Sequence, residues 1–496
     1  MSPLRCAIRT ARWPPWTHTT RSLPIISFEP PTTISFEPPI GDVMTSKPRV
    51  RIVTTNDLFG SFFHRRTSYG VQPGARSLVN AVDSLRSGAE ASLWVDGGDF
   101  AQGGPLAPAS GGTYGFATFR ELGIDVATIG NHEFDWGEEH ARRWLGEAGV
   151  PIVVANYDIG LPSTVLLDAG GVGVGVIGLT HPALQQFNST LSGDQLAPEV
   201  LVPDLARSLR TSGADVIVTV IHDGVDWTTT VQGPLQIDTG RIEALVTSLR
   251  GHTDVLLGGH TLGRFIGTLA DVPFVQPWAF GAEVGVLDWN ADGSWTTFGV
   301  MLEETDNPWT GPGASANWAL SHEVVGEISQ PLAVRPWHDN SLAESMARGI
   351  AANTGADISL VFPQQLQTMQ SPIDGTFAFL PAGQVSEADI LRVVPFITDH
   401  VCQDVFVSEM TLGELEVLLE CASGARPVEV DVALSPKTWG GPAVARNRQR
   451  TGQTISVAMA SLYSERALAE SWIGRTLNWD PTGTDLRAAL RTDVAR

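Results

Sequence analysis

Short apolar runs that each stop at a polar residue recur through the first half of this chain. The runs at 49–56, 93–98, 125–130, 215–221 and 254–259 are closed in turn by Asp57, Asp99, Asn131, His222 and His260. Stretches of roughly five to seven apolar or β-branched residues bounded by Gly or Asp predict buried strands. They alternate with segments of helical pattern at 115–123 and 138–148, which makes the region α/β. In open α/β sheets the site lies outside the carboxyl ends of the strands, so five polar residues far apart in sequence are expected to converge.

The pattern continues with a hairpin signal at 286–295, where Asp292-Gly293 suits a tight reversal. Prolines and glycines at 306–313 break periodicity, so 306–335 is expected to be a linker between a first domain at 47–305 and a second at 336–496. Asn340 is expected to cap a helix running to 352, with Leu342, Met346 and Ile350 on one face. Residues 1–46 differ from the rest. They are rich in Pro and Thr and hold a tandem copy, Ile26-Ser27-Phe28-Glu29-Pro30-Pro31 and Ile34-Ser35-Phe36-Glu37-Pro38-Pro39. Such spacing of proline blocks helix and central strand and predicts a disordered or polyproline-like tail. Met44, just before the first strand, is an alternative start of translation.

The polar residues at the run ends form ordered blocks: Asp57-Leu58-Phe59, Gly98-Asp99, Gly130-Asn131-His132-Glu133, His222-Asp223-Gly224 and Gly259-His260-Thr261-Leu262. In this order they resemble the 5'-nucleotidase/UDP-sugar hydrolase branch of the calcineurin-like metallophosphoesterases, whose pattern runs D-x-H, G-D, G-N-H-E, H-x-G and G-H-x-H. Leu380-Pro381-Ala382-Gly383, Val394-Pro395-Phe396 and Met410-Thr411-Leu412-Gly413-Glu414-Leu415 are similar to the C-terminal domain of that family. The resemblance implies a four-layer α-β-β-α sandwich followed by a smaller α/β domain. It further implies a divalent ion (Mn, Zn, Mg or Fe) and hydrolysis of small phosphate esters, nucleotides foremost.

Carried over position by position, one metal site is complete, with Asp99, Asn131, His222 and His260 as its ligands. The other keeps Asp57 and Asp99 alone, because Phe59 and Leu262 stand where the family has ligands. One tight ion is therefore expected, and tight binding of a second is not, since each lost ligand weakens a site by at least the 10- to 100-fold that outer-shell changes cause. His64 is the nearest substitute ligand by sequence, although a histidine among aromatic residues more often packs. His132 matches the family residue that donates to the leaving group, and Asp135, three residues on, is placed to orient its ring or else to cap the following helix. His140, His181 and His252 match no motif position and are read as structural.

The second domain preserves less. In the family, arginines there hold the phosphate and two aromatic rings sandwich the base. Here the 361–367 segment replaces an Asn/Gly-rich stretch ending in Arg, and a late Gly-Gly-Asp-Gly segment is missing. Phe377, Phe379 and Trp439 are the rings available, for stacking or for the core, and Arg446, Arg448 and Arg450 form a basic loop. Nucleotide specificity does not carry over.

A net charge of −22 over 496 residues disfavours a nucleic-acid backbone or an anionic membrane as partner, so a phosphate substrate has to be met by a local positive field. The three cysteines, Cys6, Cys402 and Cys421, lack zinc or redox spacing; Cys402 and Cys421 are read as two buried thiols, with a pairing between them as the alternative. With neither an apolar stretch of about eighteen residues nor a signal-peptide pattern, a cytoplasmic location is expected. Two other readings stay open: a catalytically impaired relative that binds a nucleotide or partner, and an interaction protein acting through its Pro-rich tail.

Overall fold

The computed structural model describes residues 47–187, 191, 193–230, 233–305, 308–336, 338–366, 371–394, 404–422, 442–447, 454–460 and 463–496. Expectations for the tail at 1–46, Cys402, Trp439, Arg448 and Arg450 fall outside them.

Two sheets stack face to face in the first half. The five-stranded sheet has the order Trp295–Met301, Glu283–Trp289, Val50–Thr55, Ala91–Asp96, Val126–Ala127. Its last three strands run parallel, and Glu283–Trp289 is antiparallel to Val50–Thr55. The six-stranded sheet is ordered Phe265–Leu269, Val272–Gln276, Val255–Leu257, Val216–Ile221, Val172–Leu179, Thr164–Ala169, with the four inner strands parallel.

Alternation along each strand accounts for the layers. Val50, Ile52, Leu93 and Val95 face Val174, Val176, Val216, Val218 and Val220 in the core between the sheets. The intervening residues face outward onto helices. Val53 and Trp94 meet Leu78 and Val82 of helix Ala75–Ser87 and Phe116 and Phe119 of helix Thr113–Glu121. On the far side, Ile177, Ile217 and Ile221 meet Val202 and Leu209 of helix Pro198–Thr211 and Ile242 and Val246 of helix Gly240–Leu249. Because both faces are covered, these strands read as largely apolar runs. This is the α-β-β-α sandwich.

A separate five-stranded sheet forms the later part, ordered Ala443–Arg446, Ile358–Val361, Thr454–Ala460, Asp404–Thr411, Asp480–Asp485. Helices Ser341–Thr354 and Leu486–Val494 contribute to a core on one of its faces, helix Leu412–Ala422 on the other. Among the described residues, no helix is long and apolar enough to cross a membrane.

Several local expectations shift. The first expected helix runs Thr113–Glu121, with Gly115 inside it, because a Cβ there would stand 2.7 Å from the Ala101 Cα. The second covers Glu138–Gly146. The hairpin turns through five residues, Asn290 to Ser294, closed by Asn290 N–H to Ser294 O at 2.9 Å, with Gly293 at φ 83°. The interval 306–335 is more than a linker. It holds helix Ala314–His322 and strands Val324–Ile328 and Leu332–Val334, which pair with Gly383–Ser386 and Ala378–Leu380. Its glycines and prolines mark where that helix starts rather than an absence of structure, and Trp309 is buried in the core of the first sandwich. Asn340 occupies the N-cap of Ser341–Thr354 without a capping side-chain bond, and Asp339 Oδ1 accepts from Ser341 N at 2.8 Å instead.

Candidate metal centre

The strand ends converge. Asp57 follows Val50–Thr55, Asp99 follows Ala91–Asp96, Asn131 follows Val126–Ala127, His222 follows Val216–Ile221 and His260 follows Val255–Leu257. Asp99, His222 and His260 each offer a ligand atom within 4.8 Å of the others, and Asn131 Oδ1 lies 2.9 Å from His260 Nδ1.

The backbone is shaped for this meeting. Eight non-glycine residues among those described have positive φ, and six of them line the centre: Asp57, Phe59, Asp99, His260, Leu262 and Phe280. Left-handed backbone costs an L-residue about 1–2 kcal/mol, so its concentration at one place marks a functional constraint. Gly130 is required by close approach. A Cβ there would lie 2.1 Å from Asp99 Oδ1 and 2.5 Å from the His222 ring.

Three buried atoms, Asp57 Oδ1, Asp99 Oδ2 and His222 Nε2, make no hydrogen bond of good geometry. They face one another, with His222 Nε2 2.9 Å from Asp99 Oδ2 and 3.9 Å from Asp57 Oδ1. His222 Nδ1 lies 2.7 Å from Gly97 O, and Nε2 faces the carboxylates. Gathered in one buried place, this donor set of carboxylate oxygen, amide oxygen and imidazole nitrogen fits a divalent cation.

Electrostatics agrees. Burial pushes Asp57 up to about 6 and Asp96 to about 8, and Glu133 rises to about 7 through burial and the charge of Asp99. Burial would raise Asp99 too, but His222 and His132 outweigh it and hold the carboxyl below its ordinary value. On His222, burial opposes a charge, yet Asp99 and Asp57 push the ring up to about 10. So many buried acids call for positive charge at their centre. His260 is held well below its usual value by burial and by His181 and His222, leaving the neutral imidazole that a metal requires.

His132 Nδ1 lies 2.8 Å from Asp135 Oδ2, and the Asp135 side chain is 2 % exposed. Burial works against the imidazolium, but Asp135 and Asp99 more than offset it and raise the ring to about 9. His132 N–H also donates to Asp99 Oδ1 at 2.8 Å, linking the imidazole residue to the cation loop.

The other half of the centre is apolar. Phe59, Leu262, Ala279 and Phe280 form a small buried cluster. The Phe59 and Phe280 rings pack together with centroids 5.1 Å apart, tilted by 30°. Asp57 Oδ2 accepts from Asn56 Nδ2 at 2.7 Å and from His260 N at 2.8 Å. His64 does not join it: its Nδ1 lies 3.2 Å from Glu304 Oε1.

Some contributors escape sequence reasoning. Glu133 is fully buried and accepts from the backbone N–H groups of Asp99, Phe100 and Gly130, at 2.9, 3.0 and 2.7 Å, bracing two loops with one carboxylate. His181, read as structural, has its ring 4.3 Å from that of His260 and accepts Ala183 N–H at Nδ1. Its position just past strand Val172–Leu179 is the same strand-end signal as the others. His140 packs against Trp144, and His252 is exposed. Phe377 is fully buried and stacks on Trp227 at 4.8 Å, so it belongs to packing between the two halves, while Phe379 is partly exposed. Arg446 ends an edge strand opposite Ile358.

No family model matches the chain. It is 26% identical over 323 residues to a trifunctional nucleotide phosphoesterase protein of Bacillus subtilis, covering 55% of this chain and 20% of that protein. It is 24% identical over 296 residues to a 2',3'-cyclic-nucleotide 2'-phosphodiesterase/3'-nucleotidase of Salmonella typhimurium, covering 50% and 44%. The chain thus spans less than half the length of these curated relatives. In structure it is similar to a 5'-nucleotidase precursor from Thermus thermophilus, with a TM-score of 0.65 at 18% identity over 90% of this chain and 96% of that one.

Proposed function

We propose that this homologue of the nucleotide phosphoesterases, which carries the two-part fold of the 5'-nucleotidases, hydrolyses small phosphate esters, nucleotides foremost, at a centre built for one divalent cation. The observation that carries the reading is the meeting of buried Asp99 and His222 with His260 and Asn131 beside the His132–Asp135 pair. Asp99, Asn131, His222 and His260 would hold the cation. A divalent ion bound there lowers the pKa of water and polarises a phosphoryl oxygen.

The remaining steps belong to side chains. Asp135 fixes the His132 ring through Nδ1 and favours its protonated form, which leaves Nε2 as a donor suited to protonating a leaving alkoxide or steadying charge on the phosphoryl oxygens. Asp57 anchors the His260 loop by accepting its backbone N–H. Phe59, Leu262 and Phe280 exclude water from the flank where a second ion would sit.

The test is a panel of nucleoside monophosphates, UDP-sugars and sugar phosphates offered to the purified chain with Mn or Zn supplied. Hydrolysis of at least one ester, lost about 100-fold or more in His132→Ala, is the expected result. A panel untouched by wild type, or turned over equally by the variant, overturns the reading.

A further inference from the structure

Gln276 ends strand Val272–Gln276 with its side chain wholly buried and both poles of its amide bonded. Oε1 accepts from Val225 N at 2.9 Å, while Nε2 donates to Thr261 Oγ1 at 2.9 Å and, over a longer 3.4 Å, to Gly259 O. These partners fix which way round the amide sits, because a backbone N–H needs an acceptor and a carbonyl needs a donor. In the six-stranded sheet, Val272–Gln276 and Val216–Ile221 flank Val255–Leu257, all three parallel. Gln276 therefore reaches across the end of the middle strand. It ties the loop after His222, at Val225, to the loop around His260, at Gly259 and Thr261.

The two loops need such a tie. His260 has φ of 69°, a left-handed backbone that persists only where the surroundings hold it, and Gln276 bonds to the residue on either side. The loops also touch directly, through Gly259 N and Asp223 O at 3.0 Å. One backbone bond fixes a distance and not an angle, so the further attachments through the amide are what set the angle. The fit is close. A Cβ on Gly224 would stand 2.1 Å from Gln276 Oε1, so the glycine of His222-Asp223-Gly224 makes room for the amide. The His222 and His260 rings lie with centroids 5.2 Å apart at 66°. A cation held by both, at metal–nitrogen distances of about 2.0–2.1 Å, tolerates little change in that arrangement.

We propose that Gln276 is a positioning residue for the cation centre: its amide sets the spacing and angle between His222 and His260, and through them the affinity for a divalent ion. The inference rests on the cation reading above and adds to it the group that keeps the two imidazoles in register. A merely structural role would stabilise the fold equally with and without metal. A positioning role acts on metal binding itself.

Calorimetric titration of the full chain with Mn, together with melting curves taken with and without Mn, tests it on Gln276→Met, which keeps a side chain of similar length and loses all three bonds. The expected result is Mn affinity about 10- to 100-fold below wild type, the range over which groups behind the ligands act on a metal site. The rise in melting temperature on adding Mn shrinks with it, because a bound ion stabilises according to the ratio of its concentration to Kd. Thr261→Val severs one arm only. It leaves the Trp227 Nε1 bond to Thr261 O, at 2.5 Å, in place, so its loop stays anchored should Gln276→Met fail to fold. Its affinity is expected to fall between wild type and Gln276→Met. Affinity within a factor of two of wild type in the folded variants, with melting temperatures lowered equally with and without Mn, assigns Gln276 to stability alone and overturns the proposal. A wild type that takes up no Mn sinks the cation reading and this inference with it; variants that bind Mn as well as a Mn-binding wild type sink the inference alone.

Discussion

Phe59 meets the His132 imidazole edge-on, with ring centroids 5.5 Å apart at 68°, so the proposed proton donor rests on an aromatic wall where relatives of the resembled family place a metal ligand. Phe59 and Leu262 have φ of 46° and 58°, beside Asp57 at 50° and His260 at 69°. Bulky apolar residues rarely adopt this backbone, so the two loops share an unusual shape at this point.

That relationship predicts a gain. Phe59→His combined with Leu262→His returns imidazoles to backbone already shaped to present them, and metal content is expected to rise from near one toward two ions per chain. Elemental analysis of the two purified proteins checks this. An unchanged count shows that these positions do not face a second site.

Gly130 is the tightest point. In Gly130→Ala the new methyl overlaps Asp99 Oδ1 and the His222 ring, so Mn affinity is expected to fall about 100-fold or more while the melting temperature drops modestly. Metal titration of the folded variant decides it, and affinity within a factor of two of wild type contradicts the assigned geometry.

Glu133 carries a stability prediction. Glu133→Ala leaves the buried N–H groups of Asp99, Phe100 and Gly130 without their acceptor, at a cost of about 3 kcal/mol or more. Urea unfolding measures it. A midpoint equal to wild type shows that the loops find other acceptors.

The relay of strand ends was legible because strands covered on both faces are mostly apolar, so a chelating residue just past each run stands out. Asp57, Asp99, Asn131, His222 and His260 stand out for that reason. Glu133 does not, since its partners are backbone groups that leave no trace in side-chain pattern. Nor do Ala279 and Phe280, which complete the apolar cluster from a loop with no periodicity. Helix Ala314–His322 buries no residue, which is why its segment reads as a linker.

Acid stability reports on the later part of the chain. Thr411 N and Oγ1 donate to Glu414 Oε2 at 2.7 and 3.0 Å, Glu414 N donates back to Thr411 Oγ1 at 3.2 Å, and this capping box starts helix Leu412–Ala422. Arg475 grips the same carboxylate through Nε at 2.5 Å and Nη2 at 3.0 Å. Arg475 first, then the Thr411 N–H, hold the Glu414 carboxyl down to about 2 from an ordinary 4.5. A depressed folded-state pKa contributes stability that is complete above about 4.5 and fades as pH falls toward 2. Urea midpoints of wild type and Glu414→Gln should therefore differ at pH 6 and converge at the acid end. A gap that stays constant across that range contradicts the assignment.

The central claim is that Asp99, Asn131, His222 and His260 share a cation. Metal content per folded chain, measured on wild type and His222→Ala purified side by side, tests it most directly. Close to one divalent ion in wild type and close to none in the variant is the predicted result; a wild type without metal, or a variant that keeps it, contradicts the account.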